Sequence, residues 1–410
     1  MLLRRVVVTG MGVVSPFGRG MENLMDALLA GKSGVVRVPA LAEIKGMRTR
    51  VAALATGVDP MEIPRKFRRS MSSMSVFATL AAQDAAQMAG LSEAQLRGGR
   101  LGVSVGSTTG SPQTMQDFFR DFSADNSLEK MKSTLFFHIM NHSCASNVAQ
   151  VLGVTGRILA PAAACSTSSH AVGYAAETIG LGKQDFMLCG GADEFHPLTS
   201  GTFDIMNAAS TAFNDSPTST PRPFDRDRDG IVCGEGSGIL LLESLESALG
   251  RGASVLAEIT GFATNSDPAS IANPNSASIA DCMRLALADA ELDASQVDYV
   301  NAHATATQQG DIAECGAIAD VFGSRTPTSS LKGHLGHAMA ASGSLELAAC
   351  IEMIRRGVLI PTLNLDNIDP LCAGVAHQRG IGERPVNAVI KNNFALGGVN
   401  SSIILRRYQQ

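Results

Sequence analysis

The sequence predicts an α/β protein whose strands are buried on both faces, and three observations carry that reading. Short β-rich apolar runs alternate with longer helical stretches along all 410 residues, the pattern of a layered α/β architecture. The composition, 45% hydrophobic and 17% charged with 41 glycines, supports a sizeable core rather than a disordered or fibrous chain. The third observation is a recurrence: strand, glycine or serine turn, then small-residue helix occurs at LAPAAACSTSSHAVGYAA and again at PTSSLKGHLGHAMAASGSLELAAC.

Taken in order, the apolar runs place strands at Arg5–Thr9, Arg100–Val105, Asp185–Cys189, Gly238–Leu242, Val297–Ala302 and Val386–Ile390. The clearest helices are expected at Met21–Ala30, Val76–Met88 and Ser278–Ala290; in the last, Ile279, Met283 and Leu287 recur every four residues and mark a buried face. The helices after Cys165 and after Ala338 are rich in Ala, Gly and Ser, so both are expected to be central and closely packed. Gly250 and Gly252 interrupt the pattern at LESALGRGAS, which divides the chain into halves of residues 1–250 and 251–410. The segment from Ser200 to Gly236 is long and polar, a length that points to function.

Composition excludes several classes. A net charge of -5 with dispersed Lys and Arg, no Trp and three Tyr argues against nucleic acid as the main ligand. No apolar run approaches the twenty or so residues that a membrane span requires. The N-terminus MLLRRVVVTGMG has no secretory core, so a cytoplasmic protein is expected. Eight cysteines without a CxxC pair read as reduced thiols, mostly core fillers. Gly10 and Gly12 form a GxG, but Ser15 stands where a third glycine is needed, so a dinucleotide fingerprint is rejected; no GxxxxGK[ST] occurs.

Cys165 follows an apolar run and precedes Ser166, Thr167 and Ser168, which places it at a strand-to-helix turn. Helix N-terminal N–H groups there are expected to lower the thiol pKa from about 8.5 toward neutrality and to bind an oxyanion. His303 stands at the carboxyl end of the expected strand Val297–Ala302, where ligands of open α/β sheets bind, and His337 at the start of a helix. A cysteine nucleophile needs a base or an electrophilic partner, and histidines serve near neutral pH. The His334–His337 spacing lacks a carboxylate or cysteine at ligand distance, so no metal is expected. Lys332 either tunes the His337 site or is a solvated loop lysine, and Glu346, within an apolar helix, needs a partner. Gly397 and Gly398 either admit a ligand close to backbone or make a tight hairpin turn. The charged stretch PRPFDRDRDGIVCGEGSG reads as cross-bracing of a long loop.

Together VVVTGMGVVSPFG, AAACSTSSHAVGYAA, RPFDRDRDGIVCGEGSG, VNAHATATQQGD, LKGHLGHAMAASGSLE and NNFALGGVNSS resemble, in order and spacing, the β-ketoacyl-acyl carrier protein synthases, condensing enzymes of the thiolase superfamily. The resemblance covers nearly the whole chain. It implies a thiolase-like fold of duplicated α/β halves in five αβαβα layers, residues 1–250 carrying the nucleophile and 251–410 the histidine pair. The implied activity is an acyltransferase, a KAS II-like 3-oxoacyl-[acyl carrier protein] synthase of fatty acid or polyketide elongation. Cys165 becomes the nucleophile, His303 and His337 the catalytic histidines, Lys332 the supporting cation and Glu346 its carboxylate, with Leu396 supplying an oxyanion N–H. Phe394, Ala395, Leu396, Gly397 and Gly398 form the gating loop. No cofactor or metal is implied, since substrates ride on the phosphopantetheine of acyl carrier protein.

That acidic partner suits the basic run Arg65, Lys66, Arg68 and Arg69, which otherwise is a solvated helix face. Phe136 and Phe137 are candidates for the acyl-pocket floor, or else core fillers. A homodimer is implied, with a heterodimer containing a chain-length-factor homologue as the alternative. The sequence departs from the family where Ala395 and Leu396 replace Gly and Phe, and where Ala304 and Ala306 replace Gly and Ser. Those departures open a specialised polyene or aryl polyene pathway as a competitor to fatty-acid elongation. A non-catalytic scaffolding subunit is disfavoured by Cys165, and a thiolase by the lack of a second cysteine in a glycine-pair motif.

Overall fold

In the computed structural model, which describes residues 3–129 and 131–409, the two halves repeat one sheet order. The first half uses β1 (Val6–Ser15), β2 (Leu101–Gly106), β3 (Ile158–Leu159), β4 (Phe186–Asp193) and β5 (Gly236–Ser244), arranged β1-β5-β4-β2-β3. The second uses β6 (Ala257–Ser266), β7 (Tyr299–Asn301), β8 (Pro327–Ser329), β9 (Ala376–His377), β10 (Ala388–Ala395) and β11 (Val399–Arg406), arranged β6-β11-β10-β7-β8-β9. In each, the first strand pairs antiparallel with the last, the last antiparallel with the one before it, and the remainder run parallel. The first strands of the two halves also pair antiparallel, Val6 to Val8 against Ile259 to Ala257, and join the sheets at one edge.

Helices complete the layers. Helix α1 (Met21–Leu29) buries Leu24, Met25 and Leu28 in the first half. Helix α2 (Ser73–Met88) covers the outer face of β1, β5 and β4. Helices α3 (Thr167–Gly180) and α6 (Ser342–Arg356) touch each other and strands of both sheets, while α4 (Ser276–Asp289) and α5 (Gln308–Phe322) cover the second sheet's outer face. The result is five layers, αβαβα. Within β4, Met187 and Cys189 enter the central core while Phe186 and Leu188 enter the core beneath α2, so alternate side chains meet a helix on each face. Among the described residues no helix is long and apolar enough to cross a membrane, and all eight cysteines are buried and free.

The central helices pack closely because their residues are small. A Cβ on Gly343 of α6 would lie 2.7 Å from the hydroxyls of Ser168 and Ser169 on α3. The same logic explains Gly10 and Gly12, whose absent Cβ atoms would sit 2.1 and 2.0 Å from the carbonyl oxygens of Ala85 and Ala81 in α2: they admit a helix, not a pyrophosphate. Two long strands, β6 and β11, were not evident in the apolar pattern. The β11 sequence VNSSIILR carries Asn400, Ser401 and Ser402 buried, and Ser402 Oγ donates to Asn392 Oδ1 at 2.8 Å. Hydrogen bonding there replaces the apolar signal.

The polar segment from Ser200 onward contains most of a helix, Pro197–Ile205, and then runs irregularly. Its charges tie it to the second half: Arg228 meets Asp369 at 2.6 Å and Asp311 at 3.7 Å, and Asp225 accepts the backbone N–H groups of Asp366 and Asn367. Gly12→Ala should lower stability by about 1–3 kcal/mol or more through overpacking against α2, read as a lower urea midpoint at unchanged m-value.

Candidate active site

Cys165 is held at the start of α3 by strain and by its neighbour. Ala164 adopts φ 46°, costly for a residue with a Cβ, and the 3₁₀ turn Ala164–Ser166 leads directly into the helix. Ser166 Oγ lies 3.1 Å from the carbonyl oxygen of Asn393 and 3.0 Å from that of Val399. The Cys165 turn is thus bound to the β10–β11 hairpin of the other half. The backbone N–H groups of Cys165 itself and of Leu396 both favour the charged form of the Cys165 sulfur.

The histidines arrive from the second half. His303 follows β7, where Glu314 of α5 accepts its backbone N–H at 2.8 Å and that of Ala304 at 2.7 Å. His337 lies not at a helix start but between the short helix Lys332–Leu335 and the turn Met339–Ala341. Its backbone is pinned to Val232 and Gly234 of the charged segment. His337 Nε2 is 2.9 Å from Cys165 Sγ, and its Nδ1 is 2.8 Å from Ser342 Oγ. The two imidazoles stand edge to face, 5.3 Å apart. One ligand atom each of Cys165, His303 and His337 falls within 4.8 Å of the others.

Behind them, Glu346 of α6 binds Lys332 at 2.7 Å and Lys391 of β10 at 2.7 Å, all three fully buried. Lys332 is therefore no solvated lysine. Lys391 and Asn393 escaped the sequence reading, although the run KNN inside a strand buried over its whole length is a legible signal: a buried ammonium requires a counter-charge.

The expectation of an acidified thiol is overturned. Cys165 is only 7% exposed, and burial pushes its pKa up to about 11 although Lys332 and the two N–H groups pull the other way. His303 and His337 are held well below the ordinary histidine value, first by burial and then by Lys332 and Lys391. The resting pair is a thiol beside a neutral imidazole. His334, hydrogen-bonded to the carbonyls of Lys32 and Pro361, is structural.

A cavity of about 350 Å³ opens on Cys165, His303 and His337 and is walled by Phe394, Leu396, Phe203 and Ile231. Ala395 and Gly398 also border it. Gly397 and Gly398 make the hairpin turn at φ 91° and 72°, and a Cβ on Gly398 would lie 2.1 Å from the carbonyl oxygen of Asp267. Phe136 and Phe137 are not among the residues that line this cavity. Their helix, Ser133–Ile139, packs on the helix Pro112–Asp125, leaving Phe136 54% exposed beside Phe118 and Phe137 edge-on to His142. Arg65, Lys66 and Arg69 are exposed on and just after the short helix Arg65–Arg68, outside the cavity. Arg68 is partly turned inward, its Nε donating to the Ile63 carbonyl at 2.8 Å.

Two family models match: Beta-ketoacyl synthase, N-terminal domain, over residues 3–248, and Beta-ketoacyl synthase, C-terminal domain, over residues 256–366. A 3-oxoacyl-[acyl-carrier-protein] synthase 1 of Haemophilus influenzae is 34% identical over 99% of this chain and 100% of its own. Among solved structures, a β-ketoacyl synthase from Burkholderia phymatum superposes with a TM-score of 0.96 at 42% identity, covering 99% of this chain and 100% of its own. The ishigamide ketosynthase/chain length factor superposes with a TM-score of 0.92 at 33% identity, with the same coverage.

Because the Cys165 pKa is raised, its thiolate fraction falls at neutral pH. Iodoacetamide labelling of Cys165 should therefore climb about tenfold per pH unit from 7 to beyond 9, and Lys332→Met should slow it further at each pH; a plateau by pH 8 would contradict the buried-thiol state. Glu346→Gln, which leaves two buried ammonium groups facing a neutral amide, should cost about 3–5 kcal/mol in chemical denaturation.

Proposed function

The chain belongs to the β-ketoacyl synthase family, and on that premise we propose that Cys165 carries the growing acyl chain through a decarboxylative condensation that lengthens it by two carbons. The observation that carries this is the 2.9 Å contact between His337 Nε2 and the Cys165 sulfur, in a cavity that His303 and Leu396 also line.

In the first half-reaction the Cys165 sulfur attacks the carbonyl carbon of an acyl thioester on phosphopantetheine. The thiol proton passes to His337 Nε2 and on to the departing pantetheine sulfur, while the N–H groups of Cys165 and Leu396 hold the tetrahedral oxyanion. Burying the thiol as neutral and pairing it with a neutral imidazole means that the proton leaves only as the bond forms. In the second, a malonyl thioester loses carbon dioxide. The electron pair of the breaking bond becomes an enolate whose oxygen faces His303 and His337. The enolate carbon attacks the acyl group, and collapse releases a 3-oxoacyl thioester and expels Cys165 as a thiolate, which takes up one proton from solvent by way of His337 to restore the resting thiol. Lys332, anchored by Glu346, keeps positive potential behind this charge.

Acyl carrier protein is the proposed substrate carrier, docking on the exposed Arg65, Lys66 and Arg69 by charge attraction; no further cofactor takes part in the reaction. We place the enzyme in the cytoplasm as a homodimer, with a mixed dimer containing a chain-length-factor homologue as the assembly that a mass measurement would otherwise report. Leu396, an aliphatic side chain walling the cavity beside Phe203 and Ile231, leaves the acyl class open to more than saturated chains.

Extension assays with malonyl-carrier protein and saturated, unsaturated and aryl primers, read by mass, test the reaction and separate a KAS II-like from a KAS I subtype and from a polyene pathway. Cys165→Ala should remove the acyl adduct from the intact protein, and an adduct persisting on another residue would refute the assignment. Paired Arg65→Glu and Lys66→Glu should raise the KM for the carrier about tenfold at low salt, with the penalty shrinking as ionic strength rises.

A further inference from the structure

Asn393 is a buried amide that the reaction above does not use, and its surroundings leave it one orientation. Its Oδ1 receives Ser169 Oγ at 2.7 Å and Lys391 Nζ at 3.0 Å. An ammonium has three N–H donors and no acceptor, so the amide atom facing Lys391 is the oxygen. Lys391 has no freedom to turn away: it is ion-paired to Glu346 at 2.7 Å and donates a further hydrogen bond to the carbonyl oxygen of Asn392. Gly343 makes the room, because a Cβ there would lie 2.8 Å from Asn393 Oδ1.

With the oxygen so fixed, the amide nitrogen faces His303. Asn393 Nδ2 lies 3.3 Å from His303 Nδ1, and since an amide NH₂ only donates, that ring nitrogen must accept. A neutral imidazole has one donor and one acceptor nitrogen. We infer that Asn393, pinned by Lys391 and Ser169, is a positioning residue that locks His303 as the Nε2–H tautomer. The histidine is thereby a hydrogen-bond donor toward the thioester oxygen rather than a base or a metal ligand. This bears on Cys165, His303 and His337, whose ligand atoms cluster closely enough to hold a metal ion. Zinc requires a bare ring nitrogen, its partner N–H being donated to an acceptor. Asn393 presents a donor there, so the tautomer that serves the enolate also disfavours the cation.

The proposal rests on the condensing reading for its purpose but not for its test. Long-range ¹H–¹⁵N correlations of histidine-labelled enzyme, with His303→Ala for assignment, report which ring nitrogen carries the proton in the absence of substrate. The expected wild-type pattern is a bare Nδ1 and a protonated Nε2 on His303; a bare Nε2 would overturn the inference whatever reaction the enzyme performs. Asn393→Asp keeps the shape and gives Lys391 a carboxylate partner, but turns the donor into an acceptor. It should swap the two nitrogens, tighten Zn²⁺ binding at least tenfold in chelator competition, and slow malonyl-carrier decarboxylation at least tenfold more than Cys165 acylation. Lys391→Met, which frees the amide to turn, should give a mixture of tautomers. Wild-type shifts and zinc affinity in Asn393→Asp would sink the assignment, whereas the expected shifts without any decarboxylation would leave it standing and remove the condensing reading.

Discussion

Glu346 holds two ammonium groups where no water reaches, and the site is arranged around that one carboxylate. Its two oxygens meet Lys332 and Lys391, each at 2.7 Å. Moving an ion into such an interior costs several kcal/mol even after relaxation, and the shared carboxylate offsets that cost for both lysines. The group keeps one net positive charge. That charge lies close enough to His303 and His337 to help hold both neutral. Lys391 extends the arrangement through Asn393 to the His303 ring.

The two halves divide the chemistry between them. The first supplies a sulfur at the start of a helix, and the second supplies both rings, both lysines and the hairpin whose Leu396 walls the cavity. Such a site exists only if the central helices approach to a distance that side chains of ordinary size forbid, which is why α3 and α6 are built from Gly, Ala and Ser near their starts. The Asp225 and Arg228 contacts serve the same end from outside by fastening the long segment over the second half. Packing and catalysis therefore depend on the same small residues.

Burial changes what the cysteine is. A helix N-terminus favours a thiolate, but at this depth desolvation dominates, and the sulfur rests protonated beside an imidazole that is also neutral. A thiol in that state is a poor target for stray electrophiles. In the proposed reaction it becomes a nucleophile when a carbonyl carbon is within reach and the proton has somewhere to go, which links reactivity to occupation of the cavity.

Much was legible without coordinates. Alternating apolar runs fix the layered class, since strands buried on both faces must read as continuous hydrophobics, and the recurrence around Cys165 and His337 exposes the duplication. Cys165, the two histidines, Lys332 and Glu346, which the structure brings together, are recognisable because their motifs are local. Lys391 and Asn393 were not, because their meaning lies in a strand neighbour and a helix far along the chain, and polar residues in a buried strand carry no periodic signal. Nor does a motif contain the depth at which its cysteine sits, so the direction of the thiol's shift came out reversed. Residue types and spacings determine which groups are available. Only the tertiary structure decides their protonation and orientation, because desolvation and hydrogen-bond partnership are properties of what surrounds a group, not of the chain on either side of it.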